Sequence, residues 1–280
     1  GNQNNASGTN AGSNVTGNSN TAIGQGSGNN VTTHWNLAIG EGAGTNVGGK
    51  NANQAIGYYA GTNVNGGWNQ SFGRSAGQNV TGDYNNGIGF WAGTGTIGSF
   101  NEAYGTNAGR NVNGNSNQAY GNNAGAGVTG SNNVSMGDGA GGNVTGANTL
   151  GFGAMAGAGV SGSANLAFGQ AAGAGVSGSQ NQAFSTGAGQ GVIGTGNIAQ
   201  GQNAGQNVGG NYNISIGNEA GAYVNANRSM SIGAGSRANA DDGIALGTNA
   251  QVQHAGSVAL GAGTVTTRGA QAAYTAIGMA

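Results

Sequence analysis

A large residue followed by glycine recurs along the sequence at nearly constant spacing: Ile23-Gly24, Ile39-Gly40, Ile56-Gly57, Phe72-Gly73, Ile88-Gly89, Tyr104-Gly105, Tyr120-Gly121, and onward to Ile277-Gly278. The step is 16 residues, lengthened to 17 between Ile39 and Ile56 and shortened to 14 at Leu246 and Leu260. A fixed period of this length is the mark of a solenoid, in which each repeat is one coil stacked on its neighbour. The 65 glycines among 280 residues would suit a disordered chain, but disorder has no need of register.

Composition removes several functions. The chain has 6 Lys and Arg, 7 Asp and Glu, no Pro and no Cys, for a formal net charge of -1. Without clusters of Lys or Arg there is no electrostatic footprint for phosphates, so nucleic acid is not an expected partner. There is no apolar run of about 20 residues, as a spanning helix would need. The opening Gly-Asn-Gln-Asn-Asn is no signal peptide, so the sequence is read as the interior of a longer protein.

Each large anchor is preceded by a small residue, as at Ala22, Ala38, Ala55, Ser71, Ala103, Ala119 and Ala167, and Ala-Gly follows four and five residues later. Eight residues after the anchor stands Val, from Val15, Val31 and Val47 through Val224. Half a period separates anchor from Val, which predicts a parallel β-roll of about 17 coils, two short strands per coil, with anchor and Val facing each other inside. Alternation along a strand then turns the small residues outward, together with the Asn and Thr beside each Val. On this reading the ladder Ala22, Ala38, Ala55, Ser71, Ala103, Ala119 and Ala167 is the face through which chains associate, three around a common axis. Gln200, and Ser7 at the ragged edge, would place polar groups in the apolar interior column.

The glycines fall where the chain must turn sharply, and Gly alone takes positive φ without a steric penalty. Three residues before each anchor stands Asn (Asn20, Asn36, Asn53, Asn69, Asn85, Asn101, Asn117, Asn133), whose amide can bond the backbone or stack into a hydrogen-bonded ladder. The coil lengths divide the chain into residues 1–236, with 16-residue coils, and 237–280, with 14-residue coils that continue the same structure without a linker.

Ordinary catalysis is not expected. From Gly139 to Asn218 there is no Asp, Glu, Lys, Arg or His, and His34 and His254 lie many coils apart. Neither histidine has a metal-ligand partner at a recognisable spacing, and Asn239-Ala240-Asp241-Asp242-Gly243 lacks the spacing of a calcium loop, so no metal or cofactor is expected. Asn-Val-Thr at Asn14, Asn30, Asn79 and Asn143 satisfies the glycosylation rule, but the repeat itself dictates those residues.

Aromatic placement carries more. Four residues before the anchor, at a turn, stand Trp35, Trp68, Tyr84 and Phe100, and Tyr58-Tyr59 and Phe90-Trp91 add to the same half. Turn residues of a thin roll cannot all be buried in it, so Trp35, Trp68, Tyr84, Phe100, Tyr58, Tyr59 and Trp91 are the candidate ligand contacts, suited to stacking on sugars or anchoring proteins. Packing between subunits is the competing reading.

The segments Asn213-Ile214-Ser215-Ile216-Gly217, Gly243-Ile244-Ala245-Leu246-Gly247 and Ser257-Val258-Ala259-Leu260-Gly261 resemble the repeats of the YadA-like head of trimeric autotransporter adhesins, the last two at that family's 14-residue spacing. The resemblance covers essentially the whole chain. It implies a left-handed roll assembled as an intertwined or side-by-side homotrimer. It also implies exposure on the bacterial surface, attachment to host matrix proteins, cells, carbohydrate or abiotic surfaces, and membrane contact only through a C-terminal anchor and stalk that this sequence lacks. Two other functions fit the repeat: an ice- or crystal-binding solenoid, and a passive spacer like a segment of a phage fibre.

Overall fold

A computed structural model describes residues 2–267. The predicted step to Ile277-Gly278 and the end of the 237–280 segment lie outside the described residues. The chain is an all-β parallel solenoid of about 16 turns, and it divides into two compact units, Gly1–Ala164 and Asn165–Ala280.

In the first unit ten three-residue strands, from Asn5–Ser7 to Leu150–Phe152, pair in parallel in chain order, each with the next coil. The register follows the period: Ala22 pairs with Ala38 and Ile23 with Ile39. The second unit repeats this with seven strands, Leu166–Phe168 to Val258–Leu260, and adds a two-stranded sheet of Arg237–Ala238 and Gln251–Val252. Pairing passes through the change of coil length with Met230 opposite Ile244 and Ile232 opposite Leu246. The Val side of the coils holds no strand before Arg237–Ala238; it contributes single bridging residues such as Asn65, Thr81 and Ile97, so two strands per coil is corrected to one strand and a bridge in the 16-residue coils and holds where Arg237–Ala238 and Gln251–Val252 pair.

The interior is the reverse of the expected one on the strand side. Ala22, Ala38, Ala55, Ser71, Ala103, Ala119 and Ala167 are buried within the coil, 2–4% exposed, and the large anchors point out, with Ile23 43% and Phe168 37% exposed. The small-residue ladder is therefore core and cannot be a face offered to another chain. The reason is width. A Cβ on Gly28 would stand 2.7 Å from the Cβ of Ala22, so the backbone five residues past the anchor crosses directly over the small residue. An isoleucine does not fit there. The same correction places Gln200 outside, exposed in the anchor column between Phe184 and Ile216, where a glutamine needs no buried partner.

The valines do point inward: Val31, Val80, Val128 and Val224 are 1–2% exposed. Ala residues four past the anchor, such as Ala43, Ala92 and Ala124, are wholly buried. The fourth inward column is the expected amide ladder. Oδ1 of Asn53 accepts from the backbone N–H of Asn69 (3.1 Å) and from its Nδ2 (3.0 Å), while Asn69 Nδ2 also donates to the Gly82 carbonyl at 2.9 Å. The backbone rung repeats from Asn20 to Asn133 and again from Asn165 to Asn213, and the side-chain rung with it except at Asn53, whose Nδ2 bonds the Lys50 and Gly66 carbonyls. Buried amides are tolerated here because their donors and acceptors are used.

At three positions per coil, three, seven and twelve residues past the anchor, non-glycine residues recurrently take the left-handed region, as Asn123, Asn30 and Asn132 do at φ of 54°, 56° and 60°. Asn is the commonest non-glycine occupant of the middle one, and there Asn14, Asn30, Asn46, Asn63 and Asn79 join side chain to side chain in an exposed second ladder. The acceptor sequences at Asn14, Asn30 and Asn79 are members of it.

Candidate functional site: two ring-bearing edges

The aromatic residues do not form one stripe. The seven candidate rings occupy two edges of the first unit, one at either end of the three-residue strands, while the exposed Tyr212 and Tyr223 stand at left-handed turns of the second unit.

On the edge before the strand, Trp68, Tyr84 and Phe100 stack in consecutive coils, ring centroids 5.1 and 5.0 Å apart and planes within 8° and 6° of parallel. Coil pitch sets this spacing, since residues in one column lie one strand apart. Trp35 belongs to the same column but stands apart from the stack, because the intervening coil supplies Ala52 there. It is 64% exposed and contacts the ring of His34 at 5.9 Å. Lys50, in the 17-residue coil, lies over Gly67 and donates to Asp83 Oδ2 at 2.5 Å, while Asp83 Oδ1 accepts from the Gly67 N–H at 2.9 Å. This ion pair therefore clips together the residues preceding Trp68 and Tyr84. The hydrogen bond from Lys50 holds the Asp83 carboxyl below the usual carboxylate range.

On the other edge, just past the anchors, Tyr58 meets Tyr59 edge-on at 4.6 Å and Phe90 stacks on Trp91 at 4.8 Å. Arg74 lies between the two pairs, its guanidinium carbon 5.6 Å from the centre of the Tyr58 ring and 5.5 Å from that of Phe90. Arg110 covers Trp91 at 5.6 Å. These arginines are functional candidates that attention to aromatics alone passes over. The signal is nevertheless in the sequence: Tyr58, Arg74 and Phe90 are 16 residues apart and so share one column.

Six of the rings sit on strained backbone. Trp35, Tyr59, Trp68, Tyr84, Trp91 and Phe100 have φ between 51° and 61°, where a bulky L-residue costs on the order of 1 kcal/mol. Equivalent positions elsewhere hold Asn107, Asn123, Asn132 or Asn148, which suit that conformation better. Burial does not offset the cost, since the six rings are 39–64% exposed.

The other candidates take structural places. His34 Nδ1 accepts from the Asn18 N–H at 2.8 Å. Asp241 accepts from the Asn227 N–H at 2.8 Å, and Asp242 forms a two-point ion pair with Arg228. Among the described residues no group of three or more His, Cys, Asp or Glu is placed to hold a metal, and no helix is long and apolar enough to cross a membrane. A cavity of about 220 Å³ in the first coils is lined by inward columns, including Ala22, Val31 and Asn36, and by none of the rings.

With the coil established, comparison with known proteins identifies its type. Residues 225–250 and 238–264 each match the YadA head domain repeat. Together the matches cover residues 225–264. Such repeats occur in the heads of trimeric autotransporter adhesins, a family of adhesin-like structural solenoids that are typically non-catalytic. A 47-residue stretch is 60% identical to the autotransporter adhesin EhaG of Escherichia coli O157:H7; it takes in 17% of this chain and 3% of that adhesin's length. The YadA head repeats lie in the coils of the second unit where the step falls to 14 residues, and the 16-residue coils that carry the rings share their strand, their inward small residue and their following glycine.

Proposed function

We propose that this chain is the head of a bacterial surface adhesin, exposed outside the outer membrane, that attaches through the ring-bearing edges to matrix proteins, cells, carbohydrate or abiotic surfaces without catalysing a reaction. The observation that carries the reading is the placement of Trp35, Tyr59, Trp68, Tyr84, Trp91 and Phe100 at exposed left-handed turns. Strain that the core does not need is most simply accounted for by a use outside it.

The chain works as a homotrimer in this proposal, but through the outward anchors and not the small-residue ladder. In the second unit Ile214 and Ile216, Met230 and Ile232, Ile244 and Leu246, and Val258 and Leu260 present paired apolar columns, with Val258 58% and Leu260 68% exposed. A surface of that kind is stabilised by another copy of itself around a symmetry axis.

The test replaces Trp35, Trp68 and Trp91 together by Asn, the residue that suits the same backbone in other coils. Beads coated with the variant should lose attachment to extracellular-matrix extract, cultured epithelial cells and polystyrene while sedimentation still reports a trimer. Undiminished attachment by the trimeric variant would sink the adhesive role of the rings.

A further inference from the structure

We propose that the edge formed by Tyr58, Arg74, Phe90, Trp91 and Arg110 binds an acidic polysaccharide, with carboxylate or sulfate groups seated on the two guanidinium groups and sugar faces against the exposed rings. The inference deepens the adhesive reading and rests on it.

Arg74 and Arg110 are the unusual cations of this chain. Two ion pairs occur among the described residues, Lys50 with Asp83 and Arg228 with Asp242, and neither arginine takes part. Each is held instead against aromatic faces: Arg74 between Tyr58 and Phe90, Arg110 on Trp91. Rings above and below a guanidinium fix its plane and leave its N–H groups directed sideways, and Arg74 is exposed. A fork of N–H donors fixed in this way matches two oxygens of one carboxylate or sulfate. The nearest acidic residue in the same column, Glu41, lies beyond the Tyr58 ring, and Glu102 is engaged by the Tyr120 hydroxyl at 2.5 Å.

Spacing points to a polymer. The coils of Arg74 and Arg110 are two strands apart, Phe72 pairing with Ile88 and Ile88 with Tyr104, which separates their backbones by about 10 Å along the stack, with the Arg110 guanidinium reaching back over Trp91 of the coil between. A chain with repeated anionic groups laid along the coils meets both. Between and beside them Tyr58, Tyr59, Phe90 and Trp91 are 37–44% exposed, offering apolar ring surface to the C–H face of a sugar. A folded protein partner is a poorer fit, because a stable protein interface covers about 800 Å² on each side and this edge is a narrow ridge of turns.

The experiment immobilises the whole chain and measures retention of heparin, hyaluronan, dextran and poly-glutamate at low and physiological salt. Heparin carries sulfate and carboxylate, hyaluronan carboxylate alone, so the pair distinguishes the two anions. Heparin or hyaluronan should be retained and dextran not. Arg74→Gln with Arg110→Gln should weaken that retention at least tenfold, Arg74→Lys with Arg110→Lys should restore it only in part, and Arg228→Gln, at a cation paired with Asp242 and away from the rings, should leave it unchanged. Circular dichroism of each variant confirms the fold. Retention of neither acidic polysaccharide, equal retention by the double Gln variant, or stronger retention of poly-glutamate would each overturn the proposal. Adhesion lost in the tryptophan variant while wild-type chain ignores both acidic polysaccharides would leave the adhesive reading standing and this one alone refuted.

Discussion

Gly125 stands opposite Ala119 inside one coil, so close that a Cβ on the glycine would lie 2.9 Å from the alanine's own. That distance sets the size limit of the core. Ala119→Val adds two methyl groups where none fit and should destabilise the chain by about 1–3 kcal/mol, the usual cost of overfilling a packed interior. The neighbouring Tyr120→Leu, on the outer face, should cost far less. Urea denaturation of both variants checks the contrast, and equal losses would contradict the assignment of inside and outside.

Ser185 occupies the place that Gly169 and Gly201 hold in adjoining coils and takes φ of 110°, a backbone conformation suited to glycine. Ser185→Gly relieves that strain at the expense of some unfolded-state entropy, and a net gain of about 1 kcal/mol is expected. Its denaturation midpoint should rise. A midpoint that falls would mean the serine hydroxyl contributes something the backbone angle does not reveal.

Thr149 interrupts the buried amide ladder. Its N–H donates to Asn133 Oδ1 at 2.9 Å, but its own Oγ1 is buried without a hydrogen-bond partner. Thr149→Asn would restore the donor that Asn133 offers Asn117 and is expected to stabilise by about 1 kcal/mol, whereas Asn101→Ala, which breaks an intact rung, should cost about 1–3 kcal/mol. Thermal melts of the two variants should move in opposite directions.

The Tyr120 hydroxyl donates to Glu102 at 2.5 Å, and this hydrogen bond, with burial second, pushes its pKa from 10.0 to about 12. Folding therefore favours the neutral phenol. Its stabilising contribution is complete below pH 10 and is lost as the pH climbs through about 12. The stability difference between the chain and its Tyr120→Phe variant should shrink across that window, and a difference that grows there would refute the assignment.

The period, the parallel stacking, the inward valines and the Asn ladder were all legible in the sequence, because each follows from spacing or from the hydrogen-bonding capacity of one residue type. Which side of the strand faced in was not. Alternation states that Ala22 and Ile23 point to opposite sides, and a slip of one residue exchanges every inside for every outside. Hydrophobicity alone favoured Ile23 for the core. The deciding information lay five residues further on, in the glycine that recurs opposite the small residue, as Gly28 does opposite Ala22. For the candidate site, the exposed rings could be foreseen from their turn positions. Their division into two edges and the seating of Arg74 between Tyr58 and Phe90 required knowing which columns adjoin.

The amide ladder also has a direction. From Asn69 to Asn133 each side chain donates one N–H back to the amide oxygen of the preceding coil and turns its own oxygen to the next, while Asn53, whose Nδ2 bonds the Lys50 and Gly66 carbonyls, keeps the direction through its backbone N–H to Asn36 Oδ1. A coil that has closed thus exposes an unfilled acceptor toward the chain still to come, and the following coil finds its register already written in the last. Growth from that end resembles accretion on a crystal face: each new layer copies the one beneath.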